Sequence, residues 1–355
     1  MSARRAAAAA LDPDAIERAD PHGMVRDVLD LPGQLGDALW RVESARVPRH
    51  ERSAGLVVCG MGGSAIGGDL AAAILGGRAL RPIRTVRGYD PGPTGPDALV
   101  LCASYSGETE ETLACFEAAG EAGAARVALT TGGTLAEHAR EASVPVIGAP
   151  SGMQPRAAVA YMTLGALECA AACGAAPSLG AEVEAAAGPL AERAREWGPE
   201  AGAESLAKEL AARLRGTLPI VYGAGRSAAV ARRWKTQLNE NAEVAAFFAA
   251  LPEADHNEIC GFDQGARLAP LAAVFLDDPD DHPRIARRVE LTAAALEAAG
   301  IHTERVPSPG ATPAERLLSQ VLLGDLVSVY LAVLSGVDPT PVEPIERFKA
   351  LLGKP

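Results

Sequence analysis

The chain has 355 residues, enough for two core-bearing units, and combines 48% hydrophobic residues with only 4% aromatic ones, so its interior must be built from Ala, Leu and Val. A formal net charge of −12 excludes a broad basic surface for nucleic acid. An anionic ligand would therefore have to be held by a local site rather than by the field of the whole protein.

The start, Met1 to Asp12, has a short and weakly apolar run that Asp12-Pro13-Asp14 breaks at once, so no export signal is expected. No charge-free apolar run reaches the roughly 18 residues of a membrane span, and no membrane partner is expected. Cys59, Cys102, Cys115, Cys169, Cys173 and Cys260 are scattered, mostly in apolar runs, and read as reduced core thiols of a cytoplasmic protein. They have no matching His or Cys partners, so no metal site is expected.

Residues 13–47 have helical periodicity, punctuated by Pro13 and Pro32. From about residue 55 the texture becomes strand, Gly-rich turn and helix: Gly55–Cys59, then Gly60-Met-Gly-Gly-Ser-Ala65, then Leu70–Leu75. Further strands are expected at 83–87, 98–103, 125–130 and 143–147, with helices between them. That alternation specifies a parallel sheet covered on both faces. A helix near 157–173 and a Glu/Ala/Arg-rich helical stretch to about 215 follow.

A second strand–turn–helix then begins. Leu218–Tyr222 leads into Gly223-Ala-Gly-Arg-Ser-Ala228, where Gly60, Gly62, Ser64 and Ala65 recur as Gly223, Gly225, Ser227 and Ala228. The repeat continues, with Leu271–Leu276 matching 98–103 and Pro283–Ala299 matching the helix after it. The expected organisation is a helical lead-in over 1–50, a first α/β subdomain over 51–175 that binds phosphate, connecting helices over 176–215, and a second α/β subdomain over 216–355. The tail holds a long apolar helix, Leu317–Leu334, an ordered connector at 338–344, and a short helix carrying Lys349.

Chemistry concentrates in Ser104-Tyr-Ser-Gly-Glu-Thr109. Three hydroxyls (Ser104, Ser106 and Thr109) and a glycine sit between an apolar strand and a helix. A helix start offers free N–H groups and the positive end of the dipole, so these hydroxyls complete a phosphate cradle. The competing reading is an ordinary N-cap. In the second copy the same place holds Asp277-Asp-Pro-Asp-Asp281, whose carboxylates would repel a phosphate. Gly60, Gly62 and Ala65 also fit a dinucleotide-binding turn, with Asp90 after the next strand as the ribose partner, and a dehydrogenase is the alternative that this pattern raises. Dinucleotide binding does not require the hydroxyl loop.

Gly60-Met-Gly-Gly-Ser-Ala65 together with Ser104-Tyr-Ser-Gly-Glu-Thr109 resembles the sugar isomerase (SIS) domain family. Leu238-Asn-Glu-Asn-Ala242 and Asp255-His-Asn-Glu258 are similar to the bifunctional phosphoglucose/phosphomannose isomerases within it. The resemblance runs to the tail, Ile345-Glu-Arg-Phe-Lys349. It implies two flavodoxin-like SIS subdomains in a homodimer, and interconversion of glucose 6-phosphate and mannose 6-phosphate with fructose 6-phosphate. It also implies phosphate binding by Gly63, Ser64, Ser104, Ser106 and Thr109, proton shuttling by Glu240, and ring opening by His256 from the neighbouring subunit. Arg156 would then stand beside the enediolate, and Lys349 would be the C-terminal active-site lysine.

These residue types suit that chemistry independently. A carboxylate can move a proton between C1 and C2, and Glu240 is flanked by Asn239 and Asn241, which are expected to orient it. An imidazole titrates near neutrality, and His256 lies in a polar loop rather than an apolar run. Arg156 can oppose negative charge without exchanging a proton; read by itself, it is equally a solvated arginine or a helix-start residue. Lys349 alone reads as a solvated side chain, and only the resemblance gives it a role. No cofactor is expected, because Arg and Lys can supply the electrostatic work. The alternative from another class is a non-catalytic sugar-phosphate sensor, which would keep the hydroxyl loop but need neither Glu240 nor His256. Thr340 is a further residue that could shape the sugar pocket.

Overall fold

The computed structural model describes residues 3–353. Four helices precede the first strand: Ala3–Ala9 (α1), Pro13–Ala19 (α2), Met24–Leu29 (α3) and Leu31–Ser44 (α4). The stretch expected as helical over 13–47 is thus broken. Gly23 adopts φ 79°, a left-handed conformation, and Asp20 accepts hydrogen bonds from the N–H groups of Met24 (2.9 Å) and Val25 (2.7 Å), so the chain restarts there.

The first sheet is formed by Gly55–Cys59 (β1), Ile83–Val86 (β2), Ala98–Ala103 (β3), Ala125–Thr130 (β4) and Val146–Gly148 (β5). They are all parallel, in the order β2-β1-β3-β4-β5. The helices Gly62–Leu75 (α5), Glu110–Glu121 (α6), Gly133–Glu141 (α7) and Val159–Ala172 (α8) cover it. β1 and β3 are buried along their whole length, as continuous Val/Leu/Ala/Cys runs require when both faces are covered. β5 is shorter and later than the strand expected at 143–147, because Ser143 turns the chain through a positive φ of 54°.

Gly180–Trp197 (α9) and Leu206–Leu214 (α10) connect to a second parallel sheet. Its strands are Leu218–Ala224 (β6), Phe247–Leu251 (β7), Leu271–Leu276 (β8) and His302–Val306 (β9), ordered β7-β6-β8-β9. This is the first sheet's order without its last strand. β7 and β9 complete the repeat; the sequence reading had no strand at either place. The remaining helices are Ser227–Asn241 (α11), Phe262–Leu268 (α12), Pro283–Ala298 (α13), Pro313–Ser335 (α14) and Glu343–Leu352 (α15).

α14 is long and apolar enough to cross a bilayer, yet 94% of its most apolar window is buried inside the protein, where it packs against α9, α10 and α11. The α11–α14 crossing is close. A Cβ at Gly324 would lie 2.1 Å from the indole nitrogen of buried Trp234, which donates to the Gln320 carbonyl at 2.8 Å. Gly324→Ala is expected to destabilise the fold by about 2 kcal/mol through overpacking, read as a lower urea midpoint with an unchanged slope.

Candidate functional site

In a sheet of order 2-1-3-4-5, the strand order reverses between the first and third strands, and the loops beyond their carboxyl ends form a crevice. Here those loops are Gly60–Ser64, after β1, and Ser104–Thr109, after β3, so topology alone brings the two sequence motifs together. The Ser64 hydroxyl oxygen accepts the Tyr105 N–H at 3.2 Å, which stitches one loop to the other. Ser104 and Thr109 share a hydrogen bond between their hydroxyls at 2.8 Å. The oxygen of Ser104 accepts the Gly107 N–H (3.1 Å), and that of Ser106 accepts the Glu108 N–H (3.2 Å).

Thr109 is the N-cap residue of α6, but its side chain makes no capping bond, and neither does that of Met61 before α5. Both helix starts therefore keep backbone donors that no cap satisfies. That favours the cradle over the cap reading. Gly107 has φ +76°, and a Cβ there would sit 2.0 Å from the Gly132 carbonyl oxygen, so the loop can only be built with glycine. Glu108 is turned away from the cradle: its carboxylate accepts from the Thr134 N–H and hydroxyl, both at 2.8 Å, and these bonds hold it below the usual carboxylate range.

The second half reverses the chemistry. Asp277 accepts short hydrogen bonds from Arg305 (2.6 and 3.0 Å), Asp278 faces Arg316 at 3.4 Å, and Asp280 binds both Arg226 (3.1 Å) and Arg316. The protein's own arginines occupy these carboxylates. Burial and the neighbouring Asp278 and Asp277 push Asp281 up to about 6. With the folded-state value raised above the unfolded one, the stabilisation is complete below about pH 4 and is lost as pH rises through about 6. Asp281→Asn is therefore expected to raise Tm by about 2 °C at pH 8 and to leave it unchanged at pH 4, compared by calorimetry.

Arg156 and Glu240 meet at the edge of the cradle. A Cβ at Gly63 would come within 2.9 Å of the Arg156 Cα, so the glycine lets the start of α5 press directly on the Arg156 backbone. Arg156 is only 2% exposed. Its Nε donates to Asn241 Oδ1 (2.5 Å), and its Nη2 to the carbonyls of Pro339 (2.7 Å) and Thr340 (2.8 Å). Nη1 has only a long bond to Gln154 (3.4 Å) and stands 3.8 Å from Glu240 Oε2, too far for a hydrogen bond. Burial raises the Glu240 carboxyl above its ordinary value, and Arg156 is the strongest opposing influence, followed by Arg233, Lys235 and Lys349. A half-buried carboxylate beside an unpaired guanidinium face has the form of a base next to an oxyanion partner.

The flanking asparagines do not orient Glu240. Asn239 donates to the Val244 carbonyl at 2.7 Å, whereas Asn241 binds Arg156 and donates to Ser328 at 2.8 Å. Both are drawn away because they project from α11 at different angles from Glu240. Three residues that the sequence reading missed support Arg156. The buried Arg233 forms a bidentate pair with the buried Asp325 (2.6 and 3.0 Å) and also donates to the Arg156 carbonyl at 2.8 Å; Ser328 binds Asn241. The available signal was Asp325, a lone acid within the apolar run of α14. Thr340 lies against Arg156 through its carbonyl, and its buried hydroxyl has no hydrogen-bond partner among the described residues.

Two expected site residues stand apart. His256 is exposed and shares no hydrogen bond or ion pair with Glu240 or Arg156. Its short loop is pinned on both sides: Asp255 accepts from Arg288 (2.8 Å) and Thr292 (2.6 Å), and Glu258 accepts from the Tyr222 hydroxyl (3.2 Å). Lys349 is exposed on α15, a helix with no buried residue, and reaches the site only as one of the positive charges holding Glu240 down.

Two parallel sheets of repeated order, with a hydroxyl loop at the first switch point, define a sugar isomerase (SIS) architecture. Residues 203–352 match the family model described as the bacterial phospho-glucose isomerase C-terminal SIS domain. The chain is 35% identical to a bifunctional phosphoglucose/phosphomannose isomerase of Caldicellulosiruptor bescii, over 93% of this chain and 99% of the relative. It is 37% identical to one of Aquifex aeolicus, over 84% and 91%. In fold it is similar to a hypothetical protein of Thermus thermophilus, with TM-score 0.71 and 20% identity, covering 99% of this chain and 92% of that one. The chain belongs to the bifunctional phosphoglucose/phosphomannose isomerase family.

Proposed function

We propose that this protein is a reversible aldose–ketose isomerase that interconverts glucose 6-phosphate and mannose 6-phosphate with fructose 6-phosphate. The observation that carries this reading is the Glu240 carboxylate, raised by burial and held 3.8 Å from a guanidinium nitrogen that it does not hydrogen-bond. The hydroxyls of Ser64, Ser104, Ser106 and Thr109, with the free N–H groups beginning α5 at Gly63 and α6, take the C6 phosphate. His256, assisted by Lys349, passes the O1 proton to the ring oxygen as the C1–O5 bond breaks, giving the open-chain aldehyde.

Glu240 then removes the C2 proton, and the electron pair moves through C1 onto O1. The result is a cis-enediolate, whose negative oxygen Arg156 Nη1 opposes. Return of the proton from Glu240 to C1, with a proton passing from O2 to O1, gives the ketose. Glucose and mannose phosphates differ only at C2 and give the same enediolate. Acceptance of both therefore depends on a pocket that tolerates either C2 configuration, and Thr340 is assigned to its wall.

Two experiments test this reading. Fructose 6-phosphate formation from each aldose should be measurable for the wild type. Glu240→Gln should lower kcat about a thousandfold with little change in KM, because the phosphate anchor is untouched. A wild-type protein that binds the sugar phosphates but turns over neither would instead favour the sensor reading.

The second concerns assembly. We place His256 in the active site of a partner subunit of a homodimer, because it faces solvent on a pinned loop away from its own Glu240. Glu240→Gln and His256→Ala chains, each inactive alone, should regain about a quarter of wild-type activity when co-refolded, since half the dimers are mixed and each of these has one complete site. No recovery in verified mixed dimers would place His256 in the site of its own subunit, and a His256→Ala chain that is active alone would place it outside the site.

A further inference from the structure

The donors of Arg156 can be accounted for one by one. The guanidinium has five N–H groups. Three go to neutral oxygens: Asn241 Oδ1, the Pro339 carbonyl and the Thr340 carbonyl. The two on Nη1 have no good partner. The nearest carboxylates are kept off it. Asp325 is engaged by Arg233 through two bonds, and Glu240 stays 3.8 Å away.

The orientation of the Asn241 amide follows from the next link in the chain. The Ser328 hydroxyl donates its one hydrogen to the Asp325 carbonyl at 2.7 Å. Its oxygen can then only accept from Asn241, at 2.8 Å, so the amide nitrogen faces Ser328 and the amide oxygen faces Arg156. Asn241 is fully buried, so this arrangement does not exchange with water.

We propose that Asn241 is a positioning residue for the isomerase reaction: a neutral acceptor, locked by Ser328, that turns Arg156 so that Nη1 alone faces the reacting carbons and stays out of reach of Glu240. This rests on the isomerase reading above and deepens it. A charged acceptor at this place would consume the positive charge the enediolate needs. With no acceptor, the guanidinium could swing the short distance to Glu240 and bond the base.

These two failures move Glu240 in opposite directions. The charged groups acting on it are Arg156, Arg233, Lys235 and Lys349, with Asp325 engaged by Arg233. Asn241→Asp adds a carboxylate on Arg156 and cancels the strongest of these positive influences. The acid limb of the kcat/KM profile should then rise by about one pH unit. Asn241→Ala releases Arg156 toward Glu240, and the limb should fall by about one pH unit. In both variants kcat should drop about a hundredfold while KM for fructose 6-phosphate changes less than about threefold.

Asn239→Asp makes the same change of charge on the other side of Glu240, where the amide serves only the Val244 carbonyl, and should leave kcat and the limb near the wild-type values. The same shifts can be read without turnover by a 13C NMR titration of the Glu240 carboxyl, assigned by its loss in Glu240→Gln. Opposite shifts in the two Asn241 variants support the proposal; limbs that stay in place, move together, or move equally in Asn239→Asp overturn it. Inactivity of the wild type would remove the isomerase reading, and the NMR titration would still decide the role of Asn241.

Discussion

Two arginines and an aspartate lie almost fully buried where the two halves meet, and the site depends on how their charges are satisfied. An unpaired charge in such surroundings costs several kcal/mol, so Arg233 and Asp325 can stay only as a bidentate pair. Arg233 uses a further bond on the Arg156 main chain, and Arg156 spends three donors on neutral oxygens. Arg156 comes from the first half of the chain. Arg233, Asn241, Asp325, Ser328, Pro339 and Thr340 all come from the second. The network therefore joins the halves and sets the geometry of the site in the same contacts.

The internal repeat explains why the chemistry for an anion site is present in one half and not in both. Both sheets put Gly-rich turns and a second loop at the same switch point, so both had the topology for a crevice. In the first half, hydroxyls line the loop and the helix starts are left uncapped by side chains. In the second, four aspartates take that place, and Arg226, Arg305 and Arg316 answer three of them. Like charge would repel a phosphate there, and the loop became a structural knot of ion pairs.

Glu240 sits between these parts. Burial makes its charged form costly, while Arg156 and, with weaker influence, Arg233, Lys235 and Lys349 hold that form available. A tight salt bridge would have stabilised the charge more, and at the same time would have made the carboxylate a poorer base. The 3.8 Å gap suits the base role we propose for Glu240.

Much was legible in the sequence by itself. Alternating apolar runs and Gly-rich turns specify parallel α/β units, because such strands can satisfy both buried faces only under helices; the recurrence of Gly60, Gly62, Ser64 and Ala65 marks the repeat. The hydroxyl loop and Glu240 carry their chemistry in residue type and local position. What the sequence did not reveal depends on contacts between distant segments. That Asn241 serves Arg156 and not Glu240 is decided by the angle at which each side chain leaves α11. That Asp325, a lone acid within the apolar run of α14, is the counterion of Arg233 is decided by a helix crossing some ninety residues along the chain. Local pattern sets which elements form and where reactive groups lie along them. Only packing decides which buried donor finds which acceptor, because hydrogen-bond partners inside a core are chosen by distance in space and not by order along the chain.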